Sequence, residues 1–537
     1  MSDPVGLRNG AAGTGPLPDT RMALEGQQAV IDFLTTPATH AGAAVERIDT
    51  HSAIVFLAGP RALKLKRAVR FDYLDFSTEP LRRAACEAEV RINRRAAPAI
   101  YRGVVAVTCE ADGTLALDGH GRPVDWLVDM VRFDQEGLFD RLAARGALDL
   151  SLMRPLAAAI AHFHETADRR GDHGGRSGMA WVVDGNATGF AEQGAGILDP
   201  VLATDVSTLA RQELECQAEL LDRRRRDGFV RQCHGDLHLR NIVLLDGRPT
   251  LFDAIEFNDE IACVDVLYDL AFLLMDLWKR QLSRHANAVM NGYLTDTGDL
   301  AGLALLPLFL SCRAAVRAKT SATAARVQPD ARRAIELQEL AREYLAMAKD
   351  LFVRPQPCLV AVGGHSGSGK STLALAMAPS IGGPPGALVL RSDEIRKSLC
   401  GVPSLQRLGS NGYAPDITAR VYRTLAERAA LALRAGRSVI VDAVCARPAD
   451  RAAVEGVAGS ASVPFVGIWL DAPRDVLVAR TERRGPDASD ADAGVVNRQL
   501  AEGAGVIRWP RLDASLSAAS VLEQAQALVG VGLRRAG

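Results

Sequence analysis

Asp236, Asn241 and Asp253 have the types and spacing to handle a phosphoryl group. They lie in CHGDLHLRNIVLLDGRPTLFDAIEFND, residues 233–259. The first Asp and the Asn stand five positions apart, and Asp253 follows twelve after Asn241. Between them, IVLLDGRPTLF reads as strand, Asp246-Gly247 turn, strand. Such a hairpin returns Asp253 to the loop that carries Asp236. One carboxylate can then face an attacking hydroxyl, while the amide and the second carboxylate hold Mg²⁺. The bland alternative is a polar loop before an ordinary hairpin. Zinc is the other alternative: His234 and His238 are four apart, but Gly235 breaks a helix there and Cys233 lies beside them rather than opposite.

A second phosphate site is written more openly. Gly364, His365, Ser366, Gly367, Ser368, Gly369, Lys370 and Ser371 fit G-x-x-x-x-G-K-[ST], and Thr372 follows. Apolar CLVAVG precedes the loop as a strand, and STLALAMA continues it as a helix. The glycines let backbone N–H groups turn to phosphates, and the helix N-terminus favours their charge. Lys370 is expected on the β- and γ-phosphates and Ser371 on Mg²⁺. SVIVDAV ends a buried strand with Asp442, a metal carboxylate or a turn residue. LVLRSDEIRK carries a strand into Asp393, which could accept a hydroxyl proton, cap the next helix, or do both. Arg480, Arg483 and Arg484 precede a Gly/Pro/Asp loop. They suit a transferring phosphoryl group, or a solvated face in an Arg-rich chain.

These residues need two sets of elements. Residues 51–69 read as two strands joined at Gly59-Pro60, and residues 103–119 as a hairpin turning at Asp112-Gly113. WLVDMVRF is a further strand, and helices run from about 150 to 350, a two-lobed α+β pattern. After FVRPQPC, strands and helices alternate, as in an α/β domain with a parallel sheet. The expected division is a disordered leader over 1–25, a domain over 26–352, a linker over 353–358 and a domain over 359–537. With 537 residues, more than one core is required. A net charge of -1 offers no global field for nucleic acid. The nine Cys form no C-x-x-C pair and suit a reducing cytoplasm. The apolar stretch 300–312 meets Arg313 well short of a membrane span.

HGDLHLRN, FDAIEF and VDVLYDLAFL resemble the aminoglycoside phosphotransferase and choline kinase family. That resemblance implies a protein-kinase-like bilobal fold. It gives Asp236 the acceptor hydroxyl, Asn241 and Asp253 the metal, and Lys64 in ALKLKRAV the ATP phosphates, with Lys66 as fallback. Glu89 would pair with that lysine in preference to Glu87, and Asp265 and Asp269 would be structural, holding the helix behind the catalytic loop. The chain departs from the pattern in lacking G-x-G-x-x-G between its first strands. It also shows no acidic cradle for a cationic acceptor; Arg313 and Arg317 instead share a helical face, able to meet an anion or simply solvated. GGHSGSGKST, RSDEIRK, VIVDA and RRGPDASDAD resemble the small P-loop kinases: gluconate kinase, chloramphenicol phosphotransferase and polynucleotide 5′-kinase. The order of the two halves is similar to a bacterial fusion of these two kinds of domain.

The expectation is therefore a cytoplasmic, bifunctional phosphotransferase using ATP and Mg²⁺ on hydroxyls of small molecules, without membrane or nucleic-acid partners. Two other readings stand beside it. The first half could be an inactive sensor regulating the second, or the second could phosphorylate 5′ ends of polynucleotides.

Overall fold

The first sheet packs on both faces, so its inner strands are buried almost throughout. In a computed structural model that describes residues 18–71, 73–483, 485 and 487–536, strands Val45–Asp49, Ala53–Ala58, Arg61–Lys66, Arg122–Val131, Tyr101–Cys109 and Leu115–Leu117 lie side by side in that order. All their pairings are antiparallel. One face packs Ile54, Phe56, Leu63, Leu65, Val105, Val107 and Leu127. The other meets helix Glu79–Asn93 through Cys86, Val90 and Val128. Lys64 and Lys66 are two apart in one strand, so the pleat sends both to the same face. The opening helix, Pro18–Thr35, begins inside the stretch read as a leader, and residues 1–17 lie outside the described ones.

Helices and a small hairpin follow. Strands Ile242–Leu245 and Arg248–Leu251 pair across Asp246 and Gly247, whose φ values of 47° and 74° suit a tight hairpin turn. The apolar segment at 300 does not stop at Arg313. It continues as helix Leu306–Val327, because that guanidinium is 2% exposed and donates to the carbonyls of Tyr268 and Gly235. Ala301–Val327 is long and apolar enough to cross a membrane, yet 78% of its most apolar window is buried inside the protein. It serves as a core helix between Val266–Lys279 and Ala331–Asp350.

The second sheet is wholly parallel. Its strands are ordered Leu388–Arg391, Val439–Asp442, Leu359–Gly364, Phe465–Asp471 and Arg511–Asp513. The short last strand escaped the sequence reading. Helices Lys370–Met377 and Ala518–Ala536 bury Leu373, Met377, Val521 and Val529 against one face.

The described residues form two compact units, 18–279 with 306–352, and 280–305 with 353–536. Residues 280–305, expected in the first domain, fold with the second. Helix Ser283–Thr297 covers edge strand Leu388–Arg391. Asn291 accepts from the Val389 N–H at 2.7 Å and donates to the Ala387 carbonyl at 3.2 Å. Asn287 donates to the Pro385 and Ala387 carbonyls at 3.1 and 3.0 Å. Two amide side chains thus complete a strand edge that would otherwise present bare backbone.

Candidate active sites

In the first unit, Lys64 Nζ lies 2.8 Å from Glu89 Oε1 and 2.7 Å from Asp253 Oδ1. Lys66 pairs with the other Glu89 oxygen and with Glu256. Two lysines and three carboxylates therefore share one cluster; Glu256 was not singled out in the sequence. Burial alone would weaken the Lys64 charge, but Asp253 and Glu89 outweigh it and hold the ammonium well above its ordinary pKa. Glu87 instead pairs with Arg83 on the exposed face of the helix.

Asp253 has a left-handed backbone, φ 61°, unusual for a residue with a Cβ. Its N–H donates to Tyr101 Oη at 3.1 Å. Asn93, one helical turn after Glu89, accepts from the Ala254 N–H at 2.8 Å and donates to the Ala254 carbonyl at 3.3 Å. These partners hold the carboxylate beside Lys64. Neither Tyr101 nor Asn93 has a local sequence signal for this work.

The loop residues converge as their spacing implies. Asn241 Nδ2 donates to Asp236 Oδ2 at 3.0 Å, and His238 Nε2 lies 3.2 Å from the same oxygen. Burial would raise the Asp236 pKa, but His238, His234 and Arg317 together draw it below the usual carboxylate range. The N–H groups of His234 and Gly235 donate to Asp269, which also binds His164 Nε2 at 3.0 Å. Asp269 thus supports the loop from behind, while Asp265 pairs with Arg224 at 2.7 Å.

His234 and His238 do not share a ligand. One faces the Phe252 carbonyl and the other Asp236. His164, Cys233 and Asp269 do cluster, but Asp269 is committed to His164 and two N–H groups, and burial pushes the Cys233 thiol well up. Arg313 is buried rather than solvated, and it stacks on Tyr268 and Phe272.

In the second unit, Gly364, Gly367 and Gly369 have φ of 142°, 82° and 88°. A Cβ on Gly367 would come within 2.4 Å of the Leu477 carbonyl, so the loop depends on glycine there. Ser371 Oγ donates to Asp442 Oδ2 at 2.6 Å, and Lys370 Nζ to the His365 carbonyl at 3.0 Å. The Ser366 N–H donates to Gln499 Oε1 at 2.8 Å. Among the described residues, buried His365 Nδ1 and Ser368 Oγ have no hydrogen-bond partner, as suits a cradle for a polar ligand. Thr372 is exposed on the following helix.

Burial, then the neighbouring charge of Asp442, raises the Asp393 pKa, against the pull of Lys370, Arg391 and a hydrogen bond from Ser489. Arg480 lies in the last turn of helix Arg474–Glu482, whose Leu477 packs on the phosphate loop. Arg483 caps that helix, and Arg484 lies outside the described residues. The loop beyond contributes acids: Asp487 binds Arg391 at 2.9 Å and Asp490 binds Lys397 at 2.7 Å. Arg391, passed over in the sequence, also reaches Asp442 at 3.3 Å.

Residues 359–504 match the family model AAA_33, an AAA domain. An uncharacterized protein of Mycobacterium tuberculosis is 31% identical over 460 residues, spanning 83% of this chain and 88% of its own length. The chain belongs to the family of that mycobacterial protein. An adenylyl-sulfate kinase of Myxococcus xanthus is 33% identical over 117 residues, 22% of this chain and 59% of that one. A solved structure of the amicoumacin kinase hAmiN, in complex with AMP-PNP, Ca2+ and Ami, is 15% identical, covers 62% of this chain and 96% of that one, and gives a TM-score of 0.39.

Proposed function

We propose that this protein is a bifunctional ATP-dependent phosphotransferase, each unit passing the γ-phosphoryl of ATP to a hydroxyl of a small molecule. The observation that carries the reading is the contact of Ser371 with Asp442, 2.6 Å, at the end of a parallel strand beside a glycine-shaped loop bearing Lys370. The AAA match over 359–504 supports ATP binding by that half. The Lys64–Glu89 pair facing Asp253, with Asp236 and Asn241 on the adjoining loop, supports a second site of the protein-kinase kind.

Both donor sets are hard oxygens and fit Mg²⁺: Asn241 and Asp253 in the first site, Ser371 and Asp442 in the second. Bound there, the ion would offset charge on the nucleotide phosphates. In the first site, Lys64 holds the phosphates while Glu89 fixes its direction. Asp236 receives bonds from Asn241 and His238 on Oδ2, and Oδ1 is assigned to the acceptor hydroxyl. Its depressed pKa keeps it ionised, so it orients the hydroxyl more than it strips the proton. In the second site, the 364–371 backbone and Lys370 hold ATP, and Arg480 is assigned to the transferring group. Asp393, with its raised pKa, is the stronger proton acceptor of the two. A reducing, cytoplasmic setting is part of this proposal, and all nine cysteines are free thiols.

The test is ADP release from MgATP with sugars, polyols, amino alcohols and aminoglycosides, comparing wild type with Asp236→Ala and Lys370→Ala. Different acceptors silenced by the two substitutions support two working sites. Complete loss with Lys370→Ala and none with Asp236→Ala assigns the first unit a sensing role. Activity on oligonucleotide 5′ ends that Lys370→Ala removes replaces the small acceptor of the second site.

A further inference from the structure

Arg391 lies outside the phosphate-loop motif yet sits among its oxygen donors. It ends strand Leu388–Arg391, directly across the parallel register from Asp442. Nε donates to Asp442 Oδ2 at 3.3 Å, and Nη2 to Ser371 Oγ at 3.2 Å. Nη2 also reaches both Asp487 oxygens, at 2.9 and 3.1 Å, and Nη1 reaches Glu394 Oε1 at 3.2 Å. The side chain is 10% exposed. A guanidinium so placed stays charged throughout the working pH range.

A divalent cation drawn to Ser371 and Asp442 meets that charge. The two cations repel, and both use the lone pairs of Ser371 Oγ and Asp442 Oδ2. Arg391 is not stranded if it yields them, because Glu394 and Asp487 still bind its other nitrogen and its outer edge. We propose that Arg391 is a built-in competitor for the divalent cation of the second site and sets the Mg²⁺ concentration at which nucleotide is held. This rests on the reading of the 364–371 loop as an ATP site.

The test titrates Mg²⁺ into the full chain with a fluorescent ATP analogue and reads binding, not turnover. Arg391→Gln keeps a polar side chain and removes the charge. Its half-saturating Mg²⁺ is expected to fall at least about threefold. Arg391→Lys keeps the charge and is expected to stay within about twofold of wild type. Should Arg391→Gln unfold, Arg391→Gln with Asp487→Asn restores the local charge balance and is expected to shift the same way. A half-saturating Mg²⁺ that is unchanged or higher without the charge overturns the proposal, as does an equal shift in the Gln and Lys variants. Lys370→Ala separates the two layers of inference. If wild type binds the analogue no better than Lys370→Ala, the nucleotide site itself falls. If binding depends on Lys370 but ignores the charge at 391, only the role of Arg391 falls.

Discussion

Asp236 and Asp393 carry one proposed task in opposite surroundings. The first is held below the usual carboxylate range by His238, His234 and Arg317 against the effect of burial; the second is raised by burial and by Asp442. Activity that depends on Asp393 is therefore expected to climb with pH along a limb centred above the ordinary aspartate value. Activity that depends on Asp236 is already level there. Parallel pH–rate profiles for acceptors assigned to each site check this, and superimposable acid limbs count against it. The same shift has a sign in stability. A carboxyl raised on folding keeps its proton longer in the folded state, so its contribution declines as pH rises from the unfolded value through the folded one. Urea midpoints of Asp393→Asn, compared with wild type, are expected to lose that decline. Replacing Asp236 with Ala is expected to lower turnover at the first site by about 100-fold, the cost of a misplaced hydroxyl, with Lys370-dependent nucleotide binding unchanged.

At the scale of elements, backbone groups decide the outcome. Asn291→Ala leaves the Val389 N–H without its partner, while the Ala387 carbonyl keeps Asn287, and is expected to cost about 1–3 kcal/mol, read as a lower urea midpoint with faster aggregation. Gly367→Ala forces a Cβ into the Leu477 carbonyl and a residue with a side chain to φ 82°. Loss of nucleotide binding with the rest of the fold intact is expected, by fluorescence titration beside circular dichroism. Elements of this kind differ in how far a sequence announces them. The 364–371 loop was legible because glycine spacing, strand and helix are contiguous, and the Asp246-Gly247 hairpin for the same reason. Arg391 was not, because its partners Asp442 and Asp487 are 51 and 96 positions away. Arg313 misled because charge in a helix reads as surface, whereas here the carbonyls of Tyr268 and Gly235 and two aromatic rings accept it. Glu256 hid in a run of acids with no period to single it out.

At the scale of the molecule, the chain passes between its compact units three times, at 279/280, 305/306 and 352/353. A helical pattern at 283–297 says that a helix forms and nothing about which sheet it covers, so the sequence does not show that residues 280–305 join the second unit. Cutting the chain at an engineered protease site between Phe352 and Val353 is expected to leave pieces that co-elute without denaturant, since the first piece carries the helix that seals the second piece's strand edge. Separation of the two on gel filtration refutes that expectation. A gene for the second half alone would begin with a bare sheet edge, and one for the first half alone would encode a helix without its sheet. Shuffling the second half into another protein leaves behind the segment that seals its sheet. The two halves are therefore tied to each other: Asn287 and Asn291 can drift only as far as residues 385–389 allow.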